Sequence, residues 1–387
     1  MKHSTERILT THVGSLIRPA ELQECLRAQQ AGKPDPARHE RVLTATVAEV
    51  VGQQAKAGVD VVSDGEFGKA ISWSQYALER LSGFERRPFE PGRNTFARGA
   101  DRARFSAFYE ELDAREGVAT MMDSVCVGPI AYTGQAQLRR DIDNFKAALG
   151  KVKVTEAFMP VAAPSSVIPD RRNLHYKNDE DCLAAIAEAM RTEYRMIVEA
   201  GFLVQLDDAR AAVTFDRMVP PASFAEYRDW LARQVEITNH ALEGIPEDKV
   251  RYHVCWGSWP GPHVSDVPFR DIADLVLKVR AGAYLIEGAN PRHEHEWRVW
   301  EKVRLPAGKI IAPGLISHAT NVVEHPELVA ERIVRVAKLV GRENLLASTD
   351  CGFAQGPFHR RVHPSIVWAK LEALAEGARL ATRELWN

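Results

Sequence analysis

The stretch Arg251-Tyr252-His253-Val254-Cys255-Trp256-Gly257 is interpreted as a β-strand that ends in a turn. In an extended strand, residues two apart face the same side, so His253 and Cys255 present an imidazole nitrogen and a thiol to one point. These two groups are half of a tetrahedral zinc site. The other two ligands are expected on other segments of the chain.

Two further candidate ligands each follow an apolar run. Glu287 ends the run Ala283-Tyr284-Leu285-Ile286, and Cys351 ends the run Leu345-Leu346-Ala347-Ser348-Thr349-Asp350. Each run predicts a strand, so each ligand is placed at the carboxyl end of its own strand. If those strand ends share one rim, the four candidate ligands converge on a single metal ion.

The mixture of ligand types favours zinc. Two soft thiolates, a borderline imidazole and a hard carboxylate suit a tetrahedral ion that has no geometric preference of its own. Such a site carries one net negative charge, which keeps an added thiolate electron-rich. Structural zinc sites usually use close pairs such as C-x-x-C, whereas these ligands lie on three segments spread over about a hundred residues. The alternative for any one of them is a buried free cysteine or a core histidine.

An Ala-Gly pair, an apolar strand and an acidic residue recur along the chain. The pattern leads from Ala57-Gly58 to Asp64, from Ala200-Gly201 to Asp207 and from Ala281-Gly282 to Glu287. We interpret the recurrence as a repeated βα unit. An acid at the end of a buried strand often caps the next helix, which is the alternative to a role in a site.

Eight predicted strands precede helices, which is the number that closes a (β/α)8 TIM barrel. They end near Ser15, Asp64, Met159, Asp207, Cys255, Glu287, Leu315 and Cys351. We therefore predict one α/β barrel domain over residues 1–387, with the functional residues on its carboxyl-end rim. Periodicity fails at about 84–130, which predicts an irregular excursion over the barrel mouth. The alternative, an open doubly wound sheet, lacks a G-x-G-x-x-G motif after the first strand.

Composition excludes several classes of partner. The chain of 387 residues has 50 Lys and Arg against 52 Asp and Glu, with no long basic run, so no nucleic-acid partner is expected. No signal peptide and no membrane-spanning length of apolar sequence is found, so the protein is expected to be soluble and cytoplasmic. The odd, widely spaced cysteines predict no disulfide framework, and Cys25, Cys126 and Cys182 are expected to be plain thiols. The oligomeric state is left open.

The candidate ligands resemble those of the cobalamin-independent methionine synthase family. His253-x-Cys255, Glu287 and Asp350-Cys351-Gly352 match the zinc ligands of that family in order and in approximate spacing. The resemblance covers most of the chain and extends to Thr11-His12-Val13-Gly14-Ser15, Asp64-Gly65-Glu66-Phe67 and Gln205-Leu206-Asp207-Asp208. It also implies the barrel fold. Full-length members carry two barrels, and this chain resembles the catalytic, C-terminal one.

The resemblance implies an enzyme that transfers a methyl or alkyl group to a small-molecule thiol, with homocysteine the favoured acceptor. Zinc would ionise the thiol, which has an ordinary pKa of about 8.5. Ser15, Glu66 and Asp207 occupy positions at which the family holds the amino-acid portion of the substrate. Carboxylates suit an ammonium and a Gly-Ser turn suits a carboxylate. The donor is left open among a folate, a methylcorrinoid and an epoxide.

Two departures from the family pattern bear on the reaction. Ungapped comparison of the loop Ile316–Asn321 places Ala319 at the family's proton-donating histidine, with His318 beside it, and we take His318 as the candidate catalytic residue. The N-terminal half of the full-length members is missing, and single-barrel relatives include enzymes that open epoxides with coenzyme M. Epoxide-opening thioether formation is therefore the alternative reaction.

Two further alternatives concern the metal. In the first, zinc only holds the barrel together, and metal removal would unfold the protein, whereas the catalytic interpretation predicts a folded but inactive apoprotein. In the second, the chain is a metal-free decarboxylase on the related uroporphyrinogen decarboxylase barrel. That alternative leaves the candidate ligand set unexplained.

Overall fold

A closed ring of parallel strands forms the centre of the protein in the computed structural model, which describes residues 1–90, 98–116 and 122–387. The strands of these ranges are β1 (Leu9–Thr10), β2 (Val61–Ser63), β3 (Phe84–Pro88), β4 (Met122–Cys126), β5 (Glu156–Ala162), β6 (Arg172–Asn173), β7 (Leu203–Asp208), β8 (Val250–Val254), β9 (Ala283–Ile286), β10 (Ile310–Ile316) and β11 (Leu346–Thr349). Eight of them pair in the order β1-β11-β10-β9-β8-β7-β5-β2. A parallel bridge between Thr11 and Val61 joins the two ends of this sheet. The predicted (β/α)8 barrel is confirmed.

Helices surround the barrel. In the described part of the chain they are α1 (Ala20–Gln30), α2 (Pro36–Lys56), α3 (Ala100–Arg104), α4 (Ser106–Glu116), α5 (Gln135–Leu149), α6 (Asp179–Glu199), α7 (Arg210–Met218), α8 (Phe224–Ala241), α9 (Ala273–Val276), α10 (Pro326–Val340) and α11 (Pro364–Trp386). None of these helices combines the length and the apolar character that a membrane span requires.

Helix α6 illustrates how the helices pack on the sheet. Its buried side chains recur every three or four residues, as expected of one helix face turned to a core, and include Leu183, Ile186, Met190, Tyr194 and Ile197. Burying each such side chain stabilises the fold by about 1.5–3 kcal/mol. The hydroxyl of Tyr194 donates a hydrogen bond of 2.7 Å to the carbonyl of Ala162 at the end of β5. The helix therefore fixes the carboxyl end of a barrel strand.

Polar side chains tie the strands together across the barrel interior. Arg251 on β8 donates hydrogen bonds of 3.0 Å to the hydroxyl of Thr11 and 2.9 Å to the carbonyl of His12. Gln205 on β7 donates to the carbonyl of Val13. Both terminal nitrogens of Arg251 and the amide nitrogen of Gln205 are thus paired, as burial favours. They hold the segment after β1 against the strands that carry the candidate site.

The excursion between β2 and β5 is present, but its described parts have regular structure. β3 and β4 pair antiparallel, and β6 adds to β4 in parallel, giving a three-stranded sheet outside the barrel. Helices α3 and α4 lie between β3 and β4. The expectation of irregular structure is therefore wrong for these segments. Parts of the excursion, residues 91–97 and 117–121, lie outside the described residues.

A buried histidine predicts how stability depends on pH. The Nε2 atom of His12 lies 2.7 Å from Oε1 of Gln54, and its Nδ1 accepts the backbone N–H of Gly14 at 3.1 Å. This pairing requires a neutral ring, and burial lowers the pKa of His12 to about 4. The folded protein then binds fewer protons than the unfolded chain, so the contribution of His12 is complete above about pH 6.5 and is lost toward pH 4.

We expect the loss to amount to roughly 3 kcal/mol between pH 6.5 and 4. Urea unfolding of the wild type and of His12→Asn at pH 7.5, 6 and 5 measures it. The control is His175→Asn, at an exposed histidine. The free energy of unfolding should depend less on pH in His12→Asn than in this control. Parallel pH profiles for all three proteins would contradict a neutral, buried His12.

Candidate metal centre

Three of the four predicted ligands meet at the rim formed by the carboxyl ends of the strands. His253 lies on β8, Cys255 directly follows that strand, and Cys351 follows β11. One ligand atom from each lies within 4.8 Å of the others. The two sulfurs are 3.5 Å apart. That is too long for a disulfide, which needs about 2.05 Å, and close to the separation of roughly 3.8 Å that two thiolates adopt around a tetrahedral zinc.

The imidazole of His253 has the environment of a metal ligand. Its Nδ1 lies 3.2 Å from the carbonyl of Leu285 on β9, which fixes the proton on that nitrogen. The ring is buried, and its Nε2 has no hydrogen-bond partner among the described residues. A buried nitrogen without a partner is costly. A metal ion bound to Nε2 would remove that cost, so the imidazole fits the predicted metal.

The electrostatics of the two thiols also fit a cation. Their mutual hydrogen bond, together with His253, holds the pKa of Cys351 well below its ordinary value. The same hydrogen bond, together with burial, raises the pKa of Cys255 well above its ordinary value. Two adjacent sulfurs in a buried site do not both ionise without compensating positive charge. A divalent cation would supply that charge.

Two groups of the loop after β8 support the sulfurs. The backbone N–H of Gly257 donates to Sγ of Cys255 at 3.2 Å, and the hydroxyl of Ser258 donates to Sγ of Cys351 at 3.3 Å. Both hydrogen bonds favour the thiolate over the thiol. Gly257 has a φ of +100°, and a Cβ there would lie 1.8 Å from Cζ3 of Trp259. The turn therefore requires glycine.

The structure does not bring Glu287 into the group of three ligands. Its Oε1 accepts the backbone N–H of Trp256 at 2.9 Å, and its Oε2 accepts from the side chain of Asn290 at 2.8 Å. The carboxylate thus holds the turn that follows Cys255. It is buried at the same rim, and its role as the fourth ligand stays a prediction.

His318 lies in the loop after β10 and is 3% exposed. Neither of its ring nitrogens has a hydrogen-bond partner among the residues the structure describes. The imidazole is therefore buried at the rim that carries the candidate ligands, with both ring nitrogens available.

The predicted substrate residue Ser15 lies next to the loop that carries Cys351. Its hydroxyl donates to the carbonyl of Ala354, and its own carbonyl accepts from Phe353 at 2.8 Å. A Cβ on Gly352 would lie 2.9 Å from that of Ser15, which shows how tightly the two loops pack. The first and last βα loops thus meet beside the thiols.

Glu66 and Asp207 lie on the side of the rim formed by β2 and β7. Glu66 has a φ of +63°, a conformation that is rare outside glycine. Asp207 pairs in register with His253 on the neighbouring strand, and its Oδ1 accepts from Gln205 at 2.8 Å. Burial raises the pKa of Asp207 to about 7, and the nearby charge of Glu66 adds to that effect. The two carboxylates are therefore close to each other and to the metal candidate.

Helix capping does not explain Asp207. It is the next residue, Asp208, whose Oδ1 accepts the N–H of Ala211 at 3.1 Å in the first turn of α7. The same oxygen accepts from the hydroxyls of Ser165 and Ser166. In the first occurrence of the Ala-Gly pattern, Asp64 accepts the N–H of Glu66 at 3.0 Å and stabilises a turn. The recurring acids thus have different roles.

The excursion contacts the loop that carries Ser258. The indole N–H of Trp259 donates to the hydroxyl of Tyr109 on α4 at 3.0 Å. Asp101 on α3 accepts the backbone N–H groups of Val264 and Ser265 at 3.2 Å each. The excursion therefore holds the loop after β8 in place over the barrel mouth.

Sequence reasoning missed several residues of this region. Ser258 and Tyr109 carry no signal that separates them from ordinary loop residues. Lys69 does carry a sequence signal. It follows Glu66 by three residues, and its ammonium lies 3.0 Å from Oε2 of Glu66. That spacing was visible in Asp64-Gly65-Glu66-Phe67-Gly68-Lys69.

The fold and the site together define a class: a (β/α)8 barrel protein with a candidate soft-metal centre on the rim where such barrels carry their functional groups. The profile of the family described as cobalamin-independent synthase, catalytic domain, matches residues 162–364, which is more than half of the chain. The chain belongs to this family. The matched range includes His253, Cys255, Glu287 and Cys351.

Similar proteins span nearly the same length. The methionine synthase of Saccharolobus solfataricus is 24% identical over 380 residues, covering 97% of this chain and 95% of that protein. The uncharacterized protein YxjH of Bacillus subtilis is 25% identical over 378 residues, covering 93% and 91%. A B12-independent methionine synthase from Shewanella sp. W3-18-1, solved in complex with selenomethionine, has a TM-score of 0.74 with 20% identity over 98% of this chain and 99% of that one. This likeness supports the fold.

Proposed function

We propose that the protein is a zinc-dependent transferase that moves a methyl group to a small thiol, with homocysteine the favoured acceptor. The observation that carries the proposal is the buried, unpartnered Nε2 of His253 beside two sulfurs 3.5 Å apart. Family membership and the name of the Saccharolobus solfataricus relative support the same reaction. His253, Cys255 and Cys351 would hold the zinc, with Glu287 as the fourth ligand.

When bound, zinc supplies the positive charge that keeps a substrate thiol ionised at neutral pH. The remaining roles belong to groups of the protein itself. Gly257 and Ser258 donate hydrogen bonds that would favour the thiolate form of the two cysteine sulfurs once the metal is bound. The loop after β8, held by Tyr109 and Asp101, covers the same side of the site.

The amino-acid end of the substrate is assigned to Ser15, Glu66 and Asp207. Ser15 packs against the Cys351 loop, and Glu66 lies beside the same turn, with its Oε1 3.3 Å from the position of a Cβ on Gly14. Asp207 lies at the end of β7. A thiol substrate held by these three residues would have its sulfur near the candidate metal and its ammonium near the carboxylates. Buried carboxylates bind an ammonium strongly because little water competes there.

His318 is assigned the proton transfer. In methyl transfer the substrate sulfur forms a bond to the methyl carbon, the bond from that carbon to the donor breaks, and the leaving group takes up a proton. His318 is buried at the rim with both ring nitrogens without partners in the described part of the chain, which suits a group that delivers that proton.

Mixing the zinc-loaded protein with homocysteine is expected to release close to one proton per site near pH 7. A free thiol with a pKa of about 8.5 is mostly protonated there, and binding as a thiolate sets that proton free. A pH indicator in weak buffer, or calorimetry in buffers of different ionisation enthalpy, measures the release. The metal-free protein is the control and should release none.

Coenzyme M provides the contrast with the alternative reaction. It is a purely anionic thiol, and the buried carboxylates Glu66 and Asp207 disfavour it. A sulfonate would be repelled unless Arg18 or Arg292 reached it. Arg292 is exposed, and Arg18 is buried and donates to the backbone carbonyls of Glu66 and Lys69. If coenzyme M gave proton release and homocysteine gave none, methyl transfer to homocysteine would be the wrong reaction and epoxide opening would replace it.

A further inference from the structure

The direction of the His318 ring depends on the backbone that carries it. The ring is 3% exposed, and neither of its nitrogens has a hydrogen-bond partner among the described residues. Each nitrogen of an imidazole can donate or accept, and such a bond would normally orient the ring. Here packing and the backbone of residues 317–324, which we call the His318 loop, take over that task.

Glu324 closes the His318 loop from its far end. Its Oε1 accepts the backbone N–H of Ser317, the residue before His318, at 2.8 Å. The hydroxyl of Ser317 accepts the N–H of Ala319, the residue after His318, at 3.2 Å. The backbone is therefore held on both sides of His318, and on one side the acceptor is a carboxylate.

The carboxylate of Glu324 is itself held by Lys370 on α11. Nζ of Lys370 donates to Oε2 of Glu324 at 2.7 Å and also to the carbonyl of Val322. The side chain of Lys370 is 0% exposed and that of Glu324 is 10% exposed. Hydrogen bonds between charged groups are strong and directional where little water competes. One buried lysine thus connects the end of the His318 loop to the last helix.

Two further hydrogen bonds fix the surroundings of the loop. Oδ1 of Asn321 accepts the N–H of His363, the N-cap of α11, at 2.8 Å. The carbonyl of Ile316, at the end of β10, accepts the N–H of Asp350 at 3.0 Å. Asp350 directly precedes the candidate ligand Cys351. The His318 loop is therefore held between α11 and the segment that carries a candidate ligand.

Burial of apolar surface does not account for the ion pair of Glu324 and Lys370. The loop tip beside it is exposed, with Val322 at 70% and Val323 at 40%. A buried ion pair adds little net stability, because both groups lose their hydration. Its directional contacts instead fix one arrangement of the backbone, and the buried ring that this arrangement places is that of His318.

Building on the proposed function, we propose that Lys370 and Glu324 are positioning residues for His318. They act through the backbone of the His318 loop and keep the ring where it reaches the leaving group of the methyl donor. Proton transfer requires the two heavy atoms to lie about 2.6–3.2 Å apart. A displacement of about 1 Å can lower a rate by roughly 10²-fold.

A double-mutant cycle on the turnover number tests the proposal. Methionine formation is measured with homocysteine as acceptor and with methyltetrahydrofolate and methylcobalamin as donors. Lys370→Met, which removes the ammonium, is introduced into the wild type and into His318→Gln. The control is Lys338→Met, which breaks an exposed ion pair to α11, with Nζ of Lys338 3.8 Å from Oε1 of Glu384.

Lys370→Met is expected to lower the turnover number of the wild type by about 10- to 100-fold, the effect of a ring displaced by about 1 Å. In His318→Gln the same substitution should have almost no further effect, because the group that Lys370 positions is already absent. The affinity for homocysteine, the zinc content and the proton release should match the wild type, since none of them requires His318. Lys338→Met should leave turnover unchanged in both proteins.

An equal loss of turnover in the wild type and in His318→Gln would overturn the proposal, because Lys370 would then support the structure and not act through His318. Unchanged turnover in Lys370→Met would overturn it as well. If Lys370→Met does not fold, the combination of Glu324→Gln with Lys370→Met replaces it with the same expectations, because it leaves no unpaired charge in the interior.

The proton release separates failure of this inference from failure of the proposed function. If the zinc-loaded wild type releases no proton with homocysteine and forms no methionine, the proposed function is wrong and this inference falls with it. Normal proton release and turnover in the wild type, together with equal losses in the two halves of the cycle, would remove this inference alone.

Discussion

Cys351→Ser is expected to lose nearly all bound zinc, while the wild type holds one zinc per chain. Structural zinc sites bind with an apparent free energy of about 10–16 kcal/mol from four ligands, so one thiolate is worth roughly 3 kcal/mol, or more than 100-fold in affinity. Sγ of Cys351 also contacts two other groups of the site, since it lies 3.5 Å from Sγ of Cys255 and 3.3 Å from the hydroxyl of Ser258. Metal analysis after dialysis against a weak chelator measures the loss.

The matched control is Cys25→Ser. Cys25 is a buried free thiol on α1, so the control removes the same atom from a buried position that is not among the candidate ligands. Circular dichroism of Cys351→Ser should show a folded barrel, because a core of this size does not depend on the metal. Full zinc occupancy in Cys351→Ser would rule out the proposed centre, and loss of the fold would favour zinc with a structural role only.

The barrel was predictable because its local signals repeat. An Ala-Gly helix end followed by an apolar strand and an acid indicates one βα unit, and a series of such units predicts a parallel barrel. Helix ends are also predictable where the capping residues are local. Proline at the first turn and glycine after the last turn predict a helix from Pro326 to Val340, and α10 has these bounds.

The predicted ends of helices and strands were wrong where the sequence signal was ambiguous. The apolar periodicity of the sequence predicts a helix that begins at Val42, whereas α2 begins at Pro36, where Asp35 accepts the N–H of Arg38 as the N-cap. The first two turns are polar, so the apolar periodicity begins only later. β5 was predicted to end at Met159 but continues to Ala162 through Pro160, which pairs in register with Gln205. A proline inside a parallel strand runs against the usual tendency.

The grouping of His253, Cys255 and Cys351 could be foreseen and the setting of Glu287 could not. His253 and Cys255 share a face because they are two apart on one strand, and Cys351 joins them because strand ends share a rim. The position of the Glu287 carboxylate depends on the N–H of Trp256 and the amide of Asn290, which no local pattern reveals. The contacts between Asp101 and the loop after β8 join residues more than 160 positions apart.

His318→Gln is expected to reduce the turnover number by a factor of about 10² to 10⁴, the usual range for losing a general acid. Glutamine has a similar size and can form hydrogen bonds, but it does not transfer a proton. Zinc content and proton release with homocysteine should match the wild type, because neither requires His318. The rate of methionine formation from homocysteine, with a methylfolate and with a methylcorrinoid as donors, measures the effect.

The expectation rests on the unusual position of this ring. A buried imidazole with two unpartnered nitrogens is costly, and a ligand during turnover would satisfy it. His295→Gln, at an exposed histidine, is the control and should turn over like the wild type. Unchanged turnover in His318→Gln would remove this residue from the mechanism. A fall in turnover together with lost zinc would instead assign His318 to the support of the metal centre.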